Sequence, residues 1–178
     1  MPRPYQPSLL RLLHGTTAIL VGLSWLSGLL VYSLFDGRWG RLPIRLPGEW
    51  IDLHGTVGVA LLPLAGLFAV YTFSLGRRQL GRASNAVALA ALALAIGTGK
   101  LMQEDWLRAG ELHHLAYSLH LLAWLGMAAA VLVHLSGVMR RGGLPMLRSM
   151  VSLRIRKGDL PADWPDQLRR FLRSGPTP

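Results

Sequence analysis

The chain has 178 residues and a net charge of +10, yet it is 51% hydrophobic, only 16% charged, and has a mean hydropathy of +0.35. That length gives one domain, and the composition argues against a water-soluble one. The absence of cysteine excludes disulfides, thiolate-held iron–sulfur clusters, covalent c-type haem and structural thiolate zinc.

Four stretches carry no Asp, Glu, Lys or Arg: residues 12–35, 53–76, 83–99 and 112–139. A helix crosses a bilayer core with roughly 20 apolar residues, in a range of about 17–25. A soluble helix has no reason to be apolar on every face. The expected fold is therefore all-α, an integral membrane up-and-down four-helix bundle over residues 1–141, followed by a basic tail over 142–178.

Arg3, Arg11, Arg77, Arg78, Arg82, Arg140, Arg141 and Arg148 collect at one end of these spans. Arg38, Arg41, Arg45 and Arg108 lie at the other, diluted by Asp36, Glu49, Asp52, Glu104, Asp105 and Glu111. An excess of Lys and Arg marks the cytoplasmic face. Both termini are therefore expected in the cytoplasm, with the protein in the inner (plasma) membrane; the end carrying them is called inner here. Because the charge flanks the spans, it does not point to nucleic acid.

The first span opens with Leu13-His14-Gly15-Thr16. It is too long for a signal-peptide core of roughly 7–15 residues and is read as retained. A Gly-, Pro- and Arg-rich outer loop reaches Trp50. The second span opens with Leu53-His54-Gly55-Thr56 and contains Pro63, where a local kink is expected. A short basic turn leads to the third span, built of Ala, Leu and Gly, opened by Ser84 and Asn85 and closed by Thr98 and Lys100. The fourth holds His120 and His134 behind His113 and His114, and ends at Met139-Arg140-Arg141-Gly142-Gly143. In the tail, residues 144–155 and 162–172 are expected to form short amphipathic helices on the membrane surface. They either settle topology or dock a cytoplasmic partner.

Ionisable residues inside a membrane are costly and read as functional. His120 and His134 are 14 residues apart, which returns to one helix face within about 40° after a rise of about 21 Å. His14 enters from the inner side, at the depth of His134; His54 enters from the outer side, at the depth of His120. Each depth then holds two histidines from two helices. Imidazole suits haem iron, zinc or copper. Two ligands per site, with no carboxylate or thiolate nearby, fit a bis-histidine haem best, so two b haems are expected.

Gly28, 14 residues after His14, should face the outer site, and Ala65, 11 after His54, the inner one. Met127 should pack between them. His113 is expected on the face of His120 nearer water, reaching a propionate or relaying a proton, with His114 out of phase. Arg11 and Arg140 at the inner end, and Arg38, Arg41 and Arg45 at the outer, are candidates to meet propionates.

This pattern resembles the bacterial di-haem cytochrome b group that includes cytochrome b-561, nickel–iron hydrogenase b-type subunits and formate dehydrogenase gamma subunits. The resemblance covers residues 8–141: one ligand histidine in each of the first two spans, two in the fourth, and an Arg11-Leu12-Leu13-His14 opening. Gly15 stands where that family often has Trp. The resemblance implies that His14 pairs with His134 and His54 with His120, and that quinone is the small-molecule partner. Candidate quinone or propionate contacts are Arg11, Ser84, Asn85, Lys100, His113 and Arg140. The expected function is electron carriage across the bilayer between a redox partner subunit and the quinone pool. A stand-alone oxidoreductase passing electrons from a small reductant such as superoxide to quinone is the alternative, and a haem-free histidine proton relay or transporter the lesser one. A homodimer is compatible with the sequence, in which nothing specifies it.

Overall fold

The computed structural model describes residues 5–174; Arg3 of the inner basic cluster and residues 175–178 of the tail lie outside the described residues. Four long helices dominate: α1 (Ser8–Phe35), α2 (Trp50–Phe73), α4 (Ala83–Lys100) and α6 (Leu115–Met150). Short helices α3 (Arg77–Leu80) and α5 (Glu104–Arg108) sit in the connections. A 3₁₀ turn, Pro161–Asp163, leads into α7 (Trp164–Ser174), and no strand occurs among the described residues.

Each long helix is apolar and long enough to cross a membrane. Large apolar side chains project outward from them, such as Ile19 (65% exposed), Val70 (67%) and Leu132 (65%). Water would tolerate no such continuous surface, whereas lipid solvates it. The chain is a multi-pass membrane protein.

Lipid tails supply no hydrophobic force between helices, so close approach depends on small side chains. Accordingly α1 packs along α2 and α4 along α6, while the two pairs approach each other sparsely. Space is left between the pairs. Its outer part is bounded by Val31, Tyr32, Ile51, Leu107, Tyr117 and Leu121, and its middle is crossed by Leu61, Ala65, Leu92 and Met127. α2 runs on as one helix through Pro63.

α6 differs from expectation at both ends. It starts at Leu115 with His114 as its N-cap, and it bends at Gly143, where φ is +56°. That left-handed backbone favours glycine. Beyond the bend, helix continues only to Met150, so the amphipathic helix expected over 144–155 is cut short. Past Met150 the chain is extended, and its Ser152 and Arg154 carbonyls accept hydrogen bonds from Arg11 (2.8 Å for Arg154). The second expected segment, 162–172, does form helix, as the 3₁₀ turn and α7.

The tail folds back onto the start of α1. Pro7 offers no side-chain cap, and the Asp159 carboxylate takes its place, accepting from the Ser8 N–H at 2.7 Å and from the Tyr5 hydroxyl. Trp164 donates its indole N–H to Ser8 Oγ at 2.8 Å, and the Arg156 guanidinium lies 4.1 Å over the Tyr5 ring. Burial alone pushes the Asp159 carboxyl up. Hydrogen bonds from Tyr5, Ser8 and Gln167 outweigh it and hold the group below the usual carboxylate range.

Candidate functional site between the helix pairs

The four transmembrane histidines meet in two pairs across the space between the helix pairs. His14 and His134 have ring centroids 6.1 Å apart, and His54 and His120 are 6.0 Å apart. An imidazole nitrogen binds a first-row metal at about 2.0–2.1 Å and lies roughly 1.1 Å from its ring centre, so two rings on one metal stand about 6.3 Å apart. Both pairs match that separation. Among the described residues no cluster of three or more His, Asp or Glu forms a conventional metal site, so each pair offers two ligands and no more. That donor set suits an iron whose other positions a porphyrin fills.

The outer pair lines a cavity of 290 Å³. His54 comes from α2 and His120 from α6. The His54 Nδ1 lies 3.0 Å from Ser27 Oγ of α1, and the His120 Nδ1 lies 3.0 Å from Thr98 Oγ1 of α4. Gly28 and Gly99 face the same two rings: a Cβ on Gly28 would stand 3.1 Å from His54 Cε1, and one on Gly99 3.1 Å from His120 Cε1. Both glycines are therefore cradles. The Ser24 hydroxyl and the Trp25 indole N–H, on the same wall, are buried without a protein partner.

Aromatic rings continue outward from this cavity. Trp25 stacks on Trp124 (5.0 Å), Trp124 on Tyr32 (6.0 Å) and Tyr32 on Trp39 (5.7 Å). The outer end is closed by Asp36, whose carboxylate accepts from the Tyr117 hydroxyl at 2.7 Å and pairs with Arg38 at 2.8 Å. The hydrogen bond to Asp36 raises the Arg38 guanidinium above its ordinary pKa, and the carboxylate's charge adds to this.

The inner pair is held differently. His14 comes from α1 and His134 from α6, and the edge of Phe68 meets the His14 ring at 5.9 Å. The His134 Nδ1 and the Thr17 hydroxyl are buried without partners. Arg141 donates to Ser84 Oγ at 3.3 Å.

Several sequence expectations change place. Ala65 belongs to the midplane cluster with Leu61, Leu92 and Met127. Eleven residues carry α2 only about 16 Å past His54, short of the inner depth about 21 Å away. Phe68, 14 residues after His54, has the required rise and phase. His113 is exposed and precedes α6 rather than continuing its face. His114 stacks on Trp106 at 3.9 Å and pairs with Glu111 at 3.1 Å, which draws this stretch off the helix axis.

Of the remaining candidates, Arg11 spends both terminal nitrogens on tail carbonyls, and Asn85 donates to the Gln79 carbonyl at 2.9 Å in the inner turn. Arg140 is exposed, and it is Arg141 that reaches Ser84. Lys100 lines the outer cavity with Gln103 and Glu104. The sequence reading missed Ser27, Gly99, Phe68 and Arg141. Phase held the signal for two of them: Arg141 follows His134 by seven residues, and Phe68 follows His54 by 14.

A family model described as prokaryotic cytochrome b561 matches residues 5–153. Comparison with curated proteins and with solved structures gave no match.

Proposed function

The chain belongs to the prokaryotic cytochrome b561 family, which makes it a membrane b-type cytochrome of electron transfer, and from that premise we propose that it holds two b haems. The proposed ligands are His14 with His134 at the inner depth and His54 with His120 at the outer depth. The observation that carries this reading is the pair of ring separations, 6.1 and 6.0 Å. Bound haem b supplies a one-electron ferric–ferrous couple.

The chain's own residues do the rest. The histidines fix two sites about 21 Å apart along α6. The apolar cluster of Leu61, Ala65, Leu92 and Met127 keeps water and protons out of the middle. Lys100, at the outer cavity, offers a cation to a propionate or a hydrogen-bond donor to a quinone. The proposed role is electron carriage between a redox partner and the quinone pool, in the inner membrane with both termini cytoplasmic, as the basic inner end supports.

The same geometry weighs against a proton relay, which needs polar groups between the two depths, where the cluster is apolar. For an anionic reductant, Arg38 and Arg41 are engaged with Asp36, which leaves Arg45 as the exposed cation of the three outer arginines.

The test is a reduced-minus-oxidised visible spectrum of the purified protein with pyridine-haemochrome quantitation, beside His14→Ala, His54→Ala, His120→Ala and His134→Ala. Two haems per chain in the parent and one in each variant is the expected result. A parent without haem, after expression with ample haem supply, refutes the proposal.

A further inference from the structure

We propose that Ser27 and Thr98 are positioning residues that fix His54 and His120 with Nδ1 protonated and Nε2 bare, making the outer site the lower-potential of the two. The electronic consequence rests on the di-haem reading above; the tautomer does not.

A neutral imidazole carries one N–H, and a metal takes the other nitrogen. The partner of the nitrogen left over decides which is which. Ser27 Oγ has three neighbours: His54 Nδ1 at 3.0 Å, the Leu23 carbonyl at 2.8 Å and the Ser24 carbonyl at 3.2 Å. Thr98 Oγ1 repeats this, with His120 Nδ1 at 3.0 Å, the Leu94 carbonyl at 2.7 Å and the Ala95 carbonyl at 3.2 Å. A hydroxyl has one proton, and carbonyls cannot donate. That proton goes to the shorter carbonyl contact, four residues back, so the oxygen's lone pairs must accept from the ring.

The device occurs twice. On α1 it is Ser27-Gly28 against His54 of α2; on α4 it is Thr98-Gly99 against His120 of α6. In each, a hydroxyl holds one edge of the ring and the next residue, a glycine, gives it room, with a would-be Cβ 3.1 Å away. Each lies within a closely packed helix pair, so the ring is set before anything enters the space between the pairs.

The inner depth is built otherwise. The His134 Nδ1 is buried with no partner, and Arg141 stands on the same helix face, bonded to Ser84. An acceptor on Nδ1–H makes an imidazole a stronger donor and favours ferric iron. The Arg141 guanidinium has, among the described residues, only the neutral Ser84 hydroxyl as its partner and favours the less positive ferrous state, whereas the Lys100 ammonium lines the outer cavity together with the Glu104 carboxylate, which offsets its charge. With haem bound at both depths, the outer site would be the lower in potential.

The test uses the full chain in nanodiscs: parent, Ser27→Ala, Thr98→Ala, and the conservative Ser27→Thr and Thr98→Ser. Nitrogen-15 histidine NMR on protein made with limiting haem reads the tautomer directly. His54 and His120 should be wholly Nδ1–H in the parent; an Nε2–H form or a mixture overturns the proposal, whether or not haem binds. In loaded protein, redox titration followed by EPR should show one of two couples moving upward in each alanine variant. Haem retention at that site should weaken about 10- to 100-fold, with the other couple fixed and both effects reversed by the conservative variants. Couples that stay put, or that move together, also overturn it. A parent with no haem sinks the di-haem reading alone and leaves the tautomer measurement to decide.

Discussion

At the outer depth each histidine rests on a glycine and bonds a hydroxyl of the helix packed beside its own. At the inner depth one imidazole nitrogen has no partner, the other ring meets a phenylalanine edge, and a guanidinium lies within the same helix face. The ring separations are nearly equal, so the difference concerns how firmly each ring is held. Outer rings are fixed by elements formed independently of any cofactor. Among the described residues, inner rings have no hydroxyl or glycine cradle; Phe68 meets His14, and the tail grips α1 one to two turns before His14 through Arg11 and Ser8. One depth is held by helix pairing, and the other lies beside the end of α1 where the chain's two ends close.

The largest effect should come from filling the cradles. Gly28→Ala or Gly99→Ala places a methyl 3.1 Å from the Cε1 of a ring whose adjoining Nδ1 a hydroxyl already holds. The ring must shift, and ligation tolerates little displacement. Each variant should retain one haem per chain by pyridine haemochrome. Gly15→Ala is the contrasting substitution: it adjoins His14 but has nothing within 4 Å of its would-be Cβ, and should retain two. Equal haem content in all three would erase the distinction between the depths.

Next comes the outer closure. The Asp36 side chain is 2% exposed and accepts from Tyr117. Asp36→Ala strands that hydroxyl, a loss of about 1–3 kcal/mol. Arg38 adds little beyond this, since its side chain is 37% exposed and solvent screens the pair. Thermal unfolding in detergent should show the loss, and Tyr117→Phe, which removes only the donor and leaves the Asp36 carboxylate paired with Arg38, should lose less. A Tyr117→Phe variant as damaged as Asp36→Ala would move the importance of this corner from the carboxylate to packing.

Much of the architecture was legible because the membrane restricts the solutions. Charge-free windows gave four spans, and helix rise with antiparallel order placed His14 at the depth of His134 and His54 at that of His120. What stayed hidden depends on which helices touch. Ser27 and Thr98 look like ordinary small polar residues of membrane helices until α1 lies against α2 and α4 against α6. Gly99 is one of several glycines, singled out only by the ring above it. Ala65 was misplaced because small size was weighed above depth. Phe68 and Arg141 were within reach of phase counting, and the tail's return to Ser8 was not, since nothing local pairs Asp159 with a residue so far away in the chain.

The smallest effect should be at that return. Asp159 caps α1 from outside the helix, where a negative charge also meets the positive end of the helix dipole. Its folded pKa is held below the unfolded value of about 3.9. The stabilisation is therefore present above that value and is lost as pH falls through the folded pKa. Removing a cap costs typically about 1 kcal/mol. Asp159→Ala should speed hydrogen exchange in the first turn of α1 and at the Trp164 indole at neutral pH, and parent protein should approach the same behaviour only in strong acid. If the tail grips the inner depth as described, the inner haem of Asp159→Ala should be lost more readily to a haem scavenger while the outer one is unaffected. Equal loss from both would show that the chain's ends matter to the bundle as a whole, and the division of labour between the two depths would fall.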